Sequence, residues 1–295
     1  MFKGCGKTIR LKSVDYIIAE INDVKKRYPL TTVTFQDDVF ILDKKWLNEF
    51  VEKFSREVGL TFTCNIRANL INDDVAFALK EGNCVGVNWS IESGNDEMRQ
   101  KILLRHMPRE QILYTGNLLK KHGIKHRIGN LIGLPGETFD QMLETVDLNI
   151  EVNPDLGLAN IFVPFPGLDL TDFSVAGGFL DKDNIQYIPK DYFNLSILNF
   201  TPEEKTQIYN LMCLFPTLIW FPVLFRTKWI FRSLMKLPSP MLRLIYNATY
   251  LSRLARIHKV EGMVFLKIRI LLRYISGSYR SFEGLGLRWD YFGKK

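Results

Sequence analysis

Lys125-His-Arg-Ile-Gly-Asn-Leu-Ile-Gly-Leu-Pro-Gly-Glu-Thr138 decides the fold. Ile128, Leu131 and Ile132 supply an apolar strand. Gly133, Pro135 and Gly136 end it, because Gly admits positive φ and Pro holds φ near −65°. Glu137 and Asp140 then stand where the next helix starts and favour its positive end. The stretch thus reads as strand, tight turn and helix.

The same plan recurs on both sides of it. Ser13 caps a helix through Tyr28, with Val14, Ile17, Ile18, Ile21 and Val24 on one stripe. Thr31–Phe35 is a strand that ends in Gln36-Asp-Asp38. Asp43 caps an amphipathic helix carrying Leu47, Phe50, Val51, Phe54 and Val58. Leu60–Ile66 is a strand followed by Arg67-Ala-Asn69, and a helix from Asp73 to Glu81 comes next. Cys84–Ile91 is a strand ending in Glu92-Ser-Gly94, and a helix runs from Pro108 to His122. Beyond the opening stretch, its helix reaches Val152. Leu158–Val163 is the fifth strand, closed by Pro164-Phe-Pro-Gly167. Strands at intervals of roughly 25–40 residues with helices between them predict successive parallel βαβ units. An open doubly wound sheet and part of a barrel both satisfy that pattern.

After Asp169 the pattern changes. Residues 170–200 read as irregular connection. Thr201-Pro-Glu-Glu204 is a capping box with Pro at the first helical position. Helices are predicted over 202–214, 224–235, 240–257 and 260–275. A boundary near Asn199 divides an α/β region, 1–199, from a helical, basic region, 200–295.

The net charge of +7 is unevenly placed. From Arg226 to Lys295 there are 15 Lys or Arg against 3 Asp or Glu, a net of +12 that leaves −5 for the rest. Such a tail reads either as a solvated helix face or as a surface for an anionic partner. Leu214–Phe225 is the most apolar run. It is shorter than the ~20 residues a spanning helix needs, and Pro216 and Pro222 interrupt it. A buried or interfacial segment is expected, with membrane-surface contact through the C-terminal helices rather than specific nucleic-acid binding. The four cysteines, Cys5, Cys64, Cys84 and Cys213, show no metal-ligand spacing. No metal site is therefore assigned, and a reducing, cytoplasmic setting is expected. Gly4-Cys-Gly-Lys-Thr8 resembles the end of a phosphate-binding loop but lacks its first Gly and preceding strand.

Polar groups at strand ends are the informative set, since ligands of parallel α/β folds sit there. Asp37 and Asp38 suit an ammonium group or a metal, or serve as turn residues. Arg67 suits a carboxylate or phosphate, or a salt bridge. Glu92 suits a ribose hydroxyl, or an ion pair. Gln36, Asn69, Ser90, Ser93 and Asn130 complete the set. His106, His122, His126 and His258 form no ligand spacing and read as structural or exposed.

Phe35-Gln-Asp-Asp-Val-Phe40, Arg67-Ala-Asn69, Ser90-Ile-Glu-Ser-Gly94 and Ile132-Gly-Leu-Pro-Gly-Glu-Thr138, in that order, resemble the radical S-adenosylmethionine (SAM) superfamily. The subgroup most similar carries an N-terminal cobalamin-binding domain, as the anaerobic magnesium-protoporphyrin ester cyclases do. The resemblance implies a partial TIM-like (βα) barrel, followed here by a helical region. It also implies a 4Fe-4S cluster on a Cys-x-x-x-Cys-x-x-Cys loop, and cleavage of SAM to a 5′-deoxyadenosyl radical. By the same resemblance, Gln36, Asp37 and Asp38 meet the methionine amino group and Arg67 its carboxylate. Ser90 and Glu92 lie near the ribose. Asn130, Ile132, Gly133, Val163 and Phe165 belong to strands bordering the adenine. Catalytic residues and substrate stay unassigned.

The sequence departs from the family's pattern in its N-terminal part. It has no triple-cysteine loop and no strand before Thr31, so the chain reads as truncated at or before that loop and inactive by itself. The cobalamin domain is likewise expected upstream. A cluster-free ligand-binding or scaffold protein of the same fold is the alternative.

Overall fold

A computed structural model describes residues 10–186 and 195–257. Five strands form one sheet: β1 (Thr32–Thr34), β2 (Thr61–Asn65), β3 (Cys84–Glu92), β4 (Lys125–Ile132) and β5 (Leu156–Ile161). All neighbours are parallel, in the order β1-β2-β3-β4-β5. Strand order that follows chain order means every crossover steps the same way. The sheet therefore curls as a half-barrel, and the doubly wound alternative is ruled out. Four of the helices, α2 (Lys44–Lys53), α3 (Asp73–Glu81), α4 (Arg109–Lys121) and α5 (Phe139–Val152), connect successive strands, and α1 (Val14–Arg27) precedes them.

Alternation along the strands separates two faces. Phe62, Cys64, Val87, Trp89 and Ile128 point to the helices and are buried. There Phe62 joins Phe35, Phe40, Phe50 and Phe54 in edge-to-face and tilted contacts with centroids 4.8–6.3 Å apart. The inner face is polar instead. Thr63 Oγ1 donates to Thr34 Oγ1 at 3.1 Å, and Asn88 Nδ2 donates to Asn65 Oδ1 at 3.0 Å. A polar inner face means the barrel interior is not simply a packed apolar core. The outer edge of β1 has no strand partner among the described residues.

The C-terminal helices complete the wall. In α7 (Pro202–Trp220), Ile208 packs by Gly133 and Ile219 by Gly157, so the helix runs antiparallel to β5 on the helix-facing side. Next come α8 (Pro222–Arg226), α9 (Lys228–Leu234) and α10 (Ser239–Ile257). The last reaches the inner side, where Ile257, Tyr246, Tyr250 and Leu254 pack on Leu156 and Leu158.

Three local expectations change. The helix expected over 202–214 continues to Trp220 through Pro216. Phe215, Leu218 and Ile219 are buried there, and that burial offsets the lost backbone bond. Residues 170–200 are not wholly irregular: α6 (Asp169–Ala176) and a 3₁₀ turn at Lys182–Gln186 lie within them. The segment expected as one helix over 224–235 is α8 and α9, split at Thr227. The helix expected over 260–275 lies outside the described residues, as do Cys5, His258 and the Gly4–Thr8 stretch.

Candidate functional site at the strand rim

Parallel strands deliver their carboxyl ends to one rim, and the predicted polar residues gather there. Gln36, Asp37 and Asp38 follow β1 and are exposed. Asn65 Nδ2 donates to the Asp37 carbonyl at 2.9 Å, which ties this loop to the end of β2. Arg67 follows β2, is exposed, and has no ion-pair partner among the described residues. It lines a cavity of about 220 Å³ with Ala68, Asn69, Leu104, Arg105, His106 and Met107.

Arg105 links that cavity to β3. Its Nη1 lies 2.6 Å from Glu92 Oε1, and its Nη2 donates to the Ser90 carbonyl at 3.2 Å. Glu92 is held at φ 69°, beside a shift of register between β3 and β4. A non-glycine residue in the left-handed region is uncommon and needs surrounding structure to hold it. Burial raises the Glu92 carboxyl above its ordinary range. Arg105 and a Ser90 hydrogen bond oppose that shift without cancelling it.

The loop carrying Arg105 is built around Arg99, whose side chain is fully buried. Its Nη1 donates to the Ser93 carbonyl at 2.7 Å and its Nε to the Met107 carbonyl at 3.0 Å. Its Nη2 also pairs with Asp96. A guanidinium presents donors in a rigid fork, so one side chain fixes both ends of the loop. Sequence reading missed Arg99 and Arg105, because both lie in a segment without regular periodicity. The available signal was the concentration of arginines between strand β3 and helix α4.

Ser90 and Gly129 are register partners on the inner face. A Cβ at Gly129 would stand 3.1 Å from Ser90 Oγ, so the absent side chain keeps this part of the face open. Gly94 has a different reason to be glycine. A Cβ there would lie 2.3 Å from the Glu144 carbonyl oxygen of α5. Its N–H donates to Thr145 Oγ1 at 2.8 Å, which anchors the strand end to the helix layer.

Asn130 and Ile132 stand apart from this group, since their side chains face the helices. Asn130 exchanges amide hydrogen bonds with Asn149 of α5 at 3.2 and 2.9 Å. Ile132 is fully buried with Met142, Val146 and Ile208. Gly133, at φ 69°, begins the turn at the rim. Val163 and Phe165 lie beyond β5, half-buried and exposed respectively.

Glu137 does not act as a helix-start charge. Thr138 is the N-cap of α5, and Gln141 completes the capping box. The buried Glu137 side chain folds back, and its Oε2 accepts from the Leu134 N–H at 3.0 Å. Its Oε1 has no partner, and burial pushes the carboxyl up to about 7. The carboxyl thus staples the turn instead of the helix. Among the histidines, His126 is buried and accepts from Trp89 Nε1 at 3.2 Å, a structural role. Burial drops it to about 4, so it is neutral. His106 lines the cavity.

The model of the radical SAM superfamily matches residues 3–148, the span that holds all four strand-end motifs. The chain carries a radical SAM superfamily domain. It is 30% identical over 205 residues to an uncharacterized methyltransferase of Pyrococcus horikoshii, covering 69% of this chain and 44% of that protein. It is 23% identical over 164 residues to the anaerobic magnesium-protoporphyrin IX monomethyl ester cyclase of Rubrivivax gelatinosus, covering 55% of this chain and 29% of the cyclase. The chain therefore spans less than half the length of these two curated relatives. Among solved structures, the radical SAM methyltransferase TsrM of Kitasatospora setae, with cobalamin and a 4Fe-4S cluster bound, shares the fold. Its TM-score is 0.50 at 15% identity, over 56% of this chain and 32% of TsrM.

A radical SAM cluster does not fit the described residues. Cys64, Cys84 and Cys213 are all buried, the first two on the helix-facing side of adjacent strands. Burial pushes the Cys64 thiol up and Cys213 to about 11, whereas a ligand must be a thiolate. Among the described residues no three His, Cys, Asp or Glu side chains are placed to hold a metal. SAM itself fits better: the rim offers two guanidiniums, exposed carboxylates and a half-buried strand face at Ser90 and Gly129.

Proposed function

We propose that this chain binds SAM at the strand rim and forms part of a radical SAM enzyme. The carrying observation is the joining of Arg67 and Arg105 in one cavity, with Arg105 oriented by Glu92. The two guanidiniums suit the methionine carboxylate, and Gln36, Asp37 and Asp38 suit its ammonium group. Ser90 and Glu92 suit ribose hydroxyls. The open face at Gly129, the Gly133 turn, Val163 and Phe165 suit the adenine. Asn130 and Ile132 contribute through their backbone, because their side chains are engaged elsewhere.

When bound, a 4Fe-4S cluster would supply the electron that cleaves SAM. The family's reactions with that cleavage include cobalamin-dependent methylation and cyclisation, and the likeness to an uncharacterized methyltransferase and to an ester cyclase supports methylation or cyclisation for the whole protein. The 295-residue sequence holds no Cys-x-x-x-Cys-x-x-Cys run. We accordingly propose that this chain alone binds SAM without cleaving it.

A second reading is a cluster-free ligand-binding protein. It is favoured by the described cysteines, each of them sealed in a wall of the fold. Reconstitution with iron and sulfide under anaerobic conditions separates the two. A SAM-cleaving product from the chain extended by its upstream coding sequence supports the enzyme reading. Binding without iron uptake by that extended chain supports the second.

A further inference from the structure

The segment from Phe221 to Met241, which holds α8, α9 and the start of α10, exposes apolar and basic side chains together. Trp229 is 72% exposed, Val223 62%, Met241 50% and Phe221 46%. From Phe221 to Arg243 the chain carries five Lys or Arg and no Asp or Glu. Trp229 and Arg232, three residues apart on α9, share one face, and exposed Lys236 follows the end of that helix. Phe231, Leu234 and Met235 point the other way, into the core shared with α7. Arg226 lies toward Asp147 of α5. Lys228, Arg232 and Lys236 make no salt bridge among the described residues.

We propose that this face docks on an anionic membrane surface. Lys228, Arg232 and Lys236 meet phosphate headgroups, while Trp229, Val223 and Phe221 enter the boundary between headgroups and acyl chains. The charge is complementary to anionic lipid, and a tryptophan with an apolar body and polar N–H suits that boundary. A nucleic acid would use the cations but leave Val223 and Met241 without a role. No helix among the described residues is long and apolar enough to cross a membrane, so the contact is one of lying on the surface. The patch shares no residue with the rim cavity, and its test is independent of SAM binding.

The experiment is flotation of the purified full chain with two kinds of vesicle, phosphatidylcholine alone and phosphatidylcholine with about one-third phosphatidylglycerol. The expected result is binding at least about tenfold stronger to the anionic vesicles and weakened by salt. The triple variant K228E/R232E/K236E should lose at least about tenfold of that binding. Trp229→Ala should lose several-fold, with Trp229→Phe retaining most of it. Unchanged melting temperatures confirm that each variant is folded. Equal binding to both vesicles, no binding to either, or full binding by the folded triple variant would each overturn the proposal. So would an oligonucleotide or polyglutamate that displaces the wild-type chain from vesicles at low concentration, because the face would then prefer another partner.

Discussion

Glu92 Oε1 and Arg105 Nη1, 13 residues apart in sequence, stand 2.6 Å from each other and join the kinked end of a central strand to the loop that follows it. The pair is partly shielded, with side-chain exposures of 21% and 26%. Removing one partner strands the other in a poorly solvated site, which is worse than removing both. Arg105→Ala should therefore weaken SAM binding by about tenfold or more and destabilise the fold by roughly 1–3 kcal/mol. The double variant R105A/E92Q should recover part of the stability but none of the affinity. Calorimetric titration and chemical denaturation read the two effects separately.

Glu137 gives the turn a pH dependence. Its folded carboxyl is raised to about 7, well above the unfolded value. The protonated form is thus favoured by folding, and its contribution is complete below the unfolded pKa. That contribution is lost as pH rises through about 7. Relative to Glu137→Gln, the wild-type chain should lose stability as pH rises from about 4.5 to just above 7 and change little beyond, a loss on the order of 1–3 kcal/mol. Parallel thermal melts of the two proteins across that range check this. Parallel curves would show that Glu137 does not titrate in the turn.

Two glycines should respond differently to alanine. Gly94→Ala drives a Cβ into the backbone of α5, with 2.3 Å to the Glu144 carbonyl oxygen. A helix must shift, so a loss of about 3 kcal/mol or more is expected. Gly129→Ala meets only Ser90 Oγ at 3.1 Å, and a serine rotamer relieves it. That variant should fold normally and bind SAM several-fold more weakly. Circular dichroism with calorimetry distinguishes the two, and equal affinity in a folded Gly129→Ala would remove this face from the site.

Arg99 is the buried support of the cavity loop. Arg99→Met keeps the apolar stem and deletes the hydrogen bonds to Ser93 and Met107. Two buried carbonyls lose their donor, so about 2–4 kcal/mol of stability should go. Hydrogen exchange should quicken most over residues 93–107. Uniform exchange across the barrel would argue against a local role.

The sequence reading and the structure agree where periodic patterns carry the information. Five strands, their flanking helices and the rim motifs follow from alternation, caps and turn residues. Asp43, Asn72, Thr138 and Thr201 each cap a helix through the side chain. Local pattern does not specify which polar group meets which. Asn130 and Arg127 lie on the same strand with opposite facing, and only the register with β5 and α5 decides which reaches the ligand side. Arg99, in a short π-helical turn at Met98–Ile102, and Arg105, in the loop after it, act through tertiary contacts that no sequence periodicity announces. Glu137 reads as a helix-terminal charge until the turn closes around it, because burial alone turns the carboxyl into a staple.

The central claim is that the strand ends converge on one SAM site. Its most direct measurement is calorimetric titration of SAM into the iron-free chain, repeated with Arg67→Ala and Arg105→Ala. Saturable binding with one site per chain, weakened at least about fivefold in each folded variant, is the predicted result. No heat with the wild-type chain, or equal affinity in both folded variants, would contradict it.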